Sequence, residues 1–231
     1  MIFISASYIL FSMMANYPRE ASVTDKQAVA LAANEELKKL YPEGLCSLDA
    51  DEPFRLLVAT RLSAQCTDAR VNLVTPALFE KYPTIEAFAA ARPEDVEKLI
   101  HSCGFFRQKA SDIIGAAQKV INDFGGVLPD TVEELTALPG VGRKTANLIV
   151  GDVYGKPAVV ADTHLIRISN RLGLVSTKDP YKVEMQLKQL LPPEDSNNYC
   201  HRNVLHGRAV CDARKPKCES CTLAPFCMKN I

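Results

Sequence analysis

The sequence predicts an all-α protein, and three observations support this class. Apolar residues recur at helical spacing through most of the chain, and glycine or proline divides it into short segments. The β-favouring residues Val159 and Val160 stand alone, and two such residues are too few to found a sheet. A chain of 231 residues that is 47% hydrophobic can bury a sizeable core, as one domain or as two small ones.

The helices can be placed in order from their start and stop signals. Proline favours the first helical turn, and glycine favours the position just past the last turn. The clearest amphipathic pattern begins at Ala110 and ends before Gly125, with apolar residues on one face. The predicted helices cover residues 28–40, 53–62, 68–81, 84–91, 93–102, 110–124, 131–137, 143–154, 163–172, 179–191 and 196–210.

The overall charge and the first residues exclude some classes. Because 27 basic and 27 acidic side chains balance, contacts with nucleic acid must come from local patches. The apolar start has no Lys or Arg before Arg19, so the cationic region of a signal peptide is missing, and it is shorter than the about 20 residues that a membrane span needs. We expect residues 1–22 to be a disordered leader or the product of a start site placed too early. A targeting or anchoring segment is the alternative.

The end of the chain carries four closely spaced cysteines, in the pattern Cys211-x₆-Cys218-x₂-Cys221-x₅-Cys227. Thiolates are soft ligands that favour Fe–S clusters or zinc. Structural zinc sites more often separate two Cys-x₂-Cys pairs by a dozen or more residues, whereas one tight loop can hold a cubane cluster. The spacing therefore favours a [4Fe–4S] cluster. Zinc, and then disulfides or free cysteines, are the alternatives.

A turn with the sequence Leu-Pro-Gly-Val-Gly lies between two predicted helices, which together form a helix-hairpin-helix. Gly140 and Gly142 permit backbone conformations closed to other residues, and they leave amide groups uncovered at the start of the next helix. A DNA phosphate fits such a position without any reading of sequence. A plain corner between two helices is the alternative.

Two ionisable residues near this turn are candidates for chemistry. Lys144 follows Arg143 in the first turn of a helix, where the helix dipole and partial burial would disfavour the ammonium and free a neutral amine as a nucleophile. A lysine that points into solvent is the alternative. Asp162 is a good N-cap for the helix that begins at Thr163, and its second oxygen could stabilise a positively charged sugar or take a proton from an amine.

Three motifs, in order, resemble those of one family. They are Leu-Pro-Gly-Val-Gly-Arg-Lys-Thr-Ala-Asn at 138–147, Val-Ala-Asp-Thr-His at 160–164, and the cysteine loop at 211–227. The sequence from about residue 23 to residue 227 is similar to endonuclease III, a DNA glycosylase with AP-lyase activity. The apolar leader departs from the family pattern, and so does Cys66.

The resemblance implies two helical domains with a DNA-binding cleft between them. One would be a helical barrel of residues 46–156 with the helix-hairpin-helix, and the other would join residues 23–45 to the iron–sulfur domain at 157–231. It implies a monomer that acts on double-stranded DNA with damaged bases or abasic sites, away from membranes, in a prokaryotic cytoplasm with the chromosome. A eukaryotic nucleus or mitochondrion is the alternative location.

The resemblance also implies a reaction and its residues. Lys144 would attack C1′ of an oxidised pyrimidine nucleotide, release the base and form a Schiff base that leads to β-elimination, with the assistance of Asp162. An adenine-type monofunctional glycosylase, or a non-enzymatic helix-hairpin-helix protein that binds DNA, are the alternatives. Other residues would contact the DNA. They are Gln65 and Phe105 as residues that fill the gap left by the flipped base, Gly140, Gly142 and Arg143 of the hairpin, His164 near the sugar, and Arg214, Lys215 and Lys217 on the backbone.

Overall fold

A computed structural model describes residues 23–229, and within that range the chain is helical without strands, which confirms the all-α class. The expectation for residues 1–22 lies outside the described residues. The α-helices of the described range are α1 Val23–Leu40, α2 Pro53–Ser63, α3 Asp68–Lys81, α4 Ile85–Ala89, α5 Pro93–Ile100, α6 Phe106–Phe124, α7 Val132–Thr136, α8 Arg143–Asp152, α9 Thr163–Arg171, α10 Pro180–Leu190 and α11 Ser196–Ala209. Single 3₁₀ turns lie at His101–Cys103, Pro193–Asp195, Cys218–Ser220 and Ala224–Phe226.

Short polar side chains begin several of these helices. Thr67, Thr84 and Thr131 each accept a hydrogen bond from a backbone N–H in the first turn of the helix that follows. Asp179 does the same for α10, and Pro180 occupies its first helical position. Such caps satisfy N–H groups that have no partner inside the helix, and they explain why sequence signals located these starts.

The chain divides into two compact units, and Cys46–Lys156 forms one of them. Its long helix α6 packs against α2, α4 and α5, and α8 packs against α2 and α7. The apolar face of α6 is buried as its sequence predicts, and includes Ala110, Ile113 and Ala117. Lys109 and Asp112 are buried on the same helix, so its interior face is partly polar.

The other unit joins residues 23–45 to the chain from Pro157 onward. Helix α11 packs against α1 and α9, and it carries the fully buried Tyr199. Arg202 of α11 donates to the backbone carbonyls of Tyr41 and Pro42, just past the end of α1, at 3.1 and 3.2 Å. These bonds join segments that are about 160 positions apart in sequence.

No helix between residues 23 and 229 has both the length and the apolar character needed to cross a bilayer.

Candidate functional site

The hairpin turn at Gly140 is tightly packed. Gly140 has a φ of +71°, and a Cβ atom added there would lie 2.6 Å from Cβ of Asp112 and 2.8 Å from Nε of Arg61. Those two side chains form an ion pair, with Nη2 of Arg61 2.6 Å from Oδ2 of Asp112. Asp112 also accepts a hydrogen bond from Gln108 at 2.8 Å. Only glycine satisfies both the backbone conformation and the close approach.

Gly142 has a different role, because it is the N-cap of α8. Its backbone is extended, no side chain caps the helix, and a Cβ atom added there would meet nothing within 4 Å. The N-terminus of α8 therefore lies beside open space at Gly142. Backbone amides in such a position, at the positive end of a helix dipole, can bind an anion such as a phosphate.

Lys144 lies in the first turn of α8, as expected, but its side chain is exposed. The predicted partial burial of Lys144 is therefore wrong. The reason is geometric: α8 is buried on all sides from Ala146 to Gly151, whereas its first turn is only partly covered and leaves Lys144 exposed. Arg143 is half-buried beside it, and its carbonyl accepts from the Asn147 amide at 3.2 Å.

Asp162 is the N-cap of α9, as its sequence position predicts. Its Oδ1 accepts a hydrogen bond from the backbone N–H of Leu165 at 2.7 Å, and the side chain is half-buried. The cap fixes the direction of the carboxylate and uses one of its two oxygens. A carboxylate that caps a helix in this way places a negative charge in a fixed position at the helix N-terminus.

His164 contacts its own helix and α11. Its Nδ1 lies 3.1 Å from Nη2 of Arg167, and a Cβ atom added at Gly207 would lie 2.3 Å from the same Nδ1. Arg167 in turn donates to the carbonyl of Cys211, the first cysteine of the loop, at 2.9 Å. These contacts connect the start of α9 to the cysteine segment.

Gln65 and Phe105 are exposed in two loops of the unit Cys46–Lys156, and both have a positive φ, 55° and 46° respectively. Phe105 is 68% exposed, so it is not part of the apolar core. Left-handed backbone is uncommon at residues other than glycine and tends to persist where the surrounding structure enforces it. Lys109, a residue that the sequence did not single out, donates to backbone carbonyls just before each of these two residues, those of Leu62 and Cys103.

The four cysteines of the terminal loop line one small cavity, which also borders Arg171 and Lys217. Between residues 23 and 229, no three His, Cys, Asp or Glu side chains converge on one metal-ion position. Arg171 is 6% exposed and donates to Sγ of Cys211 at 3.1 Å and to the carbonyls of Asp212 and Ala213 at 2.7 and 3.0 Å. Four soft donors around a shared cavity, with a buried cation beside them, fit an Fe–S cluster whose thiolate ligands are negatively charged.

Burial disfavours the thiolate form of two cysteines in this loop. Burial raises the pKa of Cys221 and that of Cys227, with smaller contributions from the neighbouring cysteines. A bound metal reverses this preference, because a coordinated thiol is held as the thiolate.

The basic segment inside the cysteine loop is exposed at Arg214, Lys215 and Lys217. The Asp212 carboxylate accepts from the backbone N–H groups of Arg214 and Lys215 at 2.8 and 3.0 Å, which fixes the turn and holds the pKa of Asp212 below its usual value. Lys217 donates to the carbonyl of Ala209 at the end of α11, at 3.0 Å. Lys217 therefore has a structural contact in addition to its exposed charge.

The helical fold and the glycine hairpin define a class of DNA-repair proteins. The family model described as "HhH-GPD superfamily base excision DNA repair protein" matches residues 58–193. The chain is 53% identical to the endonuclease III of Synechocystis over 83% of this chain and 88% of that protein. It is 42% identical to that of Bacillus subtilis, over 85% and 90%.

Solved structures agree with this similarity. A non-covalent complex of endonuclease III with DNA has a TM-score of 0.83 at 41% identity, and covers 88% of this chain and 95% of its own. A trapped covalent intermediate of endonuclease III with DNA has a TM-score of 0.80 at 42% identity, with coverage of 85% and 92%. The chain belongs to the endonuclease III family. It is a base excision repair enzyme with DNA glycosylase and AP-lyase activity, and the comparisons do not favour the monofunctional and non-enzymatic alternatives.

Proposed function

We propose that this chain removes oxidised pyrimidines from double-stranded DNA and cleaves abasic sites by β-elimination, with Lys144 as the nucleophile. The observation that carries the proposal is the position of Lys144, whose side chain is exposed two residues after Gly142, the glycine N-cap of α8. A phosphate held by that turn places the DNA backbone beside the amine. One endonuclease III has been trapped as a covalent intermediate with DNA, which is the kind of species that an amine nucleophile forms.

In this reaction, the neutral amine of Lys144 attacks C1′ of the damaged nucleotide, and the base departs with the electrons of the glycosidic bond. The sugar ring then opens: the C1′–O4′ bond breaks, O4′ takes a proton, and the amine nitrogen forms a double bond to C1′, which gives the Schiff base. The Schiff base makes the C2′ proton acidic. Removal of that proton forms the C2′–C3′ double bond, and the 3′ phosphate departs with the electrons of the C3′–O bond. Asp162 accepts a proton from the incoming amine and stabilises the positive charge that develops on the sugar. Its N-cap bond supports this role because it holds the carboxylate in one orientation.

The DNA contacts divide by chemistry. The amides after Gly140 and Gly142, with Arg143, bind the phosphate backbone, and so do Arg214, Lys215 and Lys217. Gln65 and Phe105 fill the space of a nucleotide that has left the stack, and His164 lies near its sugar. The enzyme acts as a monomer in a prokaryotic cytoplasm, where the chromosome lies.

Cys211, Cys218, Cys221 and Cys227 would hold a [4Fe–4S] cluster. When bound, the cluster would supply a rigid scaffold for the loop rather than a step of the reaction. Arg171 supports this assignment, because its guanidinium already donates to the Cys211 sulfur and to two carbonyls of the loop. A brown protein with broad absorption near ~400 nm and about four irons per chain would fit this cluster, whereas a colourless zinc protein would exclude it.

Borohydride trapping tests the reaction. The full chain should form a covalent adduct with a duplex that carries an oxidised pyrimidine or an abasic site, because borohydride reduces the Schiff base. Lys144→Gln should abolish the adduct. Lys98→Gln is the matched control, since Lys98 is an exposed lysine of the same unit that pairs with Asp95 on the surface. Base release without an adduct would favour a monofunctional glycosylase, and binding without either activity would favour a non-enzymatic protein.

A further inference from the structure

Lys109 is a buried lysine of α6 that the reaction above does not use. Its side chain is 1% exposed. The ammonium donates to the backbone carbonyl of Leu62 at 2.8 Å and to that of Cys103 at 2.7 Å. Burial lowers the pKa of Lys109. A buried ammonium is unfavourable unless its donors are paired, so these two carbonyls are needed to keep the side chain inside.

The two carbonyls lie just before the two loops that carry Gln65 and Phe105, in the last turn of α2 and at the end of the 3₁₀ turn His101–Cys103. Leu62 is three residues before Gln65, and Cys103 is two residues before Phe105. Within residues 23–229, positive φ at residues other than glycine occurs at three positions, and these loops contain two of them. One nitrogen therefore joins the two segments whose backbone is least favourable by itself.

A second contact links the same loops. The side chains of Cys66 and Cys103 lie close enough for the two thiols to interact electrostatically. Burial raises the pKa of Cys103 to about 11, so this buried thiol remains neutral near pH 7 and leaves the carbonyls as the acceptors for the ammonium. The charged contact between the two loops is thus the Lys109 ammonium with its two carbonyl acceptors.

We propose that Lys109 is a positioning residue that holds the Gln65 and Phe105 loops together, so that both side chains enter the DNA as one unit. This inference rests on the proposed DNA roles of Gln65 and Phe105. Because a nucleotide that leaves the duplex vacates one defined space, two inserting side chains must keep a fixed separation to occupy it. Lys109 sets that separation, since the loops cannot move apart without breaking a hydrogen bond to its ammonium.

The test compares Lys109→Met with Lys119→Met in the full chain with its cluster. Both lysines lie on α6, but Lys119 is partly exposed and pairs with Asp123 on the surface. Single-turnover cleavage is measured on an abasic site in duplex DNA and on the same site in single-stranded DNA, which has no stack to fill. Lys109→Met should lower the duplex rate about tenfold or more relative to the single-stranded rate, while Lys119→Met should leave the ratio unchanged.

A second readout isolates extrusion of the nucleotide from chemistry. In the inactive Lys144→Gln protein, a 2-aminopurine beside the lesion should become brighter at saturating protein as the stack opens, and adding Lys109→Met should remove most of that rise. If the circular dichroism of Lys109→Met differs from that of the unaltered protein, Lys109→Gln is used instead, because the glutamine amide can still donate a hydrogen bond. Lys109→Gln should then also slow cleavage of the duplex more than that of the single strand, but by a smaller factor.

Three outcomes separate the hypotheses. Equal losses on both DNA forms, or an unchanged aminopurine signal, would overturn the positioning role and leave Lys109 as a fold residue. The role would also be overturned if Lys109→Met further lowered the duplex rate of a Gln65→Ala, Phe105→Ala protein. A residue that acts through those two side chains should have no effect once they are removed. Absence of a borohydride adduct with the unaltered protein would instead refute the proposed function.

Discussion

Replacing Gly140 with alanine should destabilise the unit Cys46–Lys156 more than any other glycine-to-alanine change in the hairpin. Two costs combine at this position. The φ of +71° is a left-handed conformation, and the new Cβ would lie 2.6 Å from Cβ of Asp112 and 2.8 Å from Nε of Arg61. Contacts that short must be relieved by movement of the ion pair or of the turn.

The two costs can be estimated separately. A left-handed backbone costs a residue with a side chain about 1–2 kcal/mol. Forcing a methyl group into a packed site costs typically about 1–3 kcal/mol. The expected loss for Gly140→Ala is therefore about 2–5 kcal/mol in the free energy of unfolding.

Urea unfolding followed by far-ultraviolet circular dichroism measures this loss, and two other glycines supply the controls. Gly125 has a φ of +62° with nothing within 4 Å of an added Cβ, so Gly125→Ala should lose only the conformational part, about 1–2 kcal/mol. Gly142 has a φ of −90° and open space around it, so Gly142→Ala should cost less than about 1 kcal/mol. If Gly140→Ala lost no more than Gly125→Ala, the close contact with Asp112 and Arg61 would not constrain the hairpin.

Three further predictions concern the other unit. Asp162→Asn should keep the helix cap and the stability of the protein but slow borohydride trapping, whereas Asp162→Ala should also lose about 1 kcal/mol of stability. Equal trapping rates for Asp162→Asn and the unaltered protein would contradict a role for the charge of Asp162. Lys215→Ala with Lys217→Ala should weaken binding to all duplexes alike and reduce the slope of log K against log salt by about 2, so an unchanged slope would show that neither charge contacts phosphate. Arg171→Met removes the donor to Cys211 and should make the absorption near ~400 nm decay faster in the presence of a chelator, and an equal decay rate would remove Arg171 from the support of the loop.

The sequence predicts the parts of this fold that depend on neighbouring residues. The helical class follows from apolar periodicity, and starts at Thr67, Thr131 and Asp162 follow from capping, because each cap acts on an N–H only three residues away. The helix expected at 93–102 ends at Ile100 and continues as a 3₁₀ turn, a difference that local signals do not resolve. The need for glycine at position 140 is also visible in the turn sequence.

The parts that sequence reasoning missed depend on contacts between distant segments. Apolar periodicity indicates the buried face of α6, but it gives no signal that the charged residues Lys109 and Asp112 are buried as well. Their burial becomes possible only because carbonyls 47 and 6 positions away accept from Lys109, and because Arg61, 51 positions away, pairs with Asp112. The expected partial burial of Lys144 was wrong for a similar reason, because the position of a residue in a helix does not show whether its side chain faces the core or the solvent.

The roles of Gln65 and Phe105 are indicated by the resemblance of motifs and not by the conformational preferences of these two residue types. Neither residue type favours a left-handed backbone, and an exposed phenylalanine contributes little to the stability of a fold. A buried charge placed to hold both loops is also unfavourable by itself. These costs occur together at one edge of the unit Cys46–Lys156, and places where local preference is overruled tend to be sites under functional constraint. The combination of two strained loops and one buried ammonium is accounted for if the loops must meet a partner with a fixed spacing, which the stack of a DNA duplex provides.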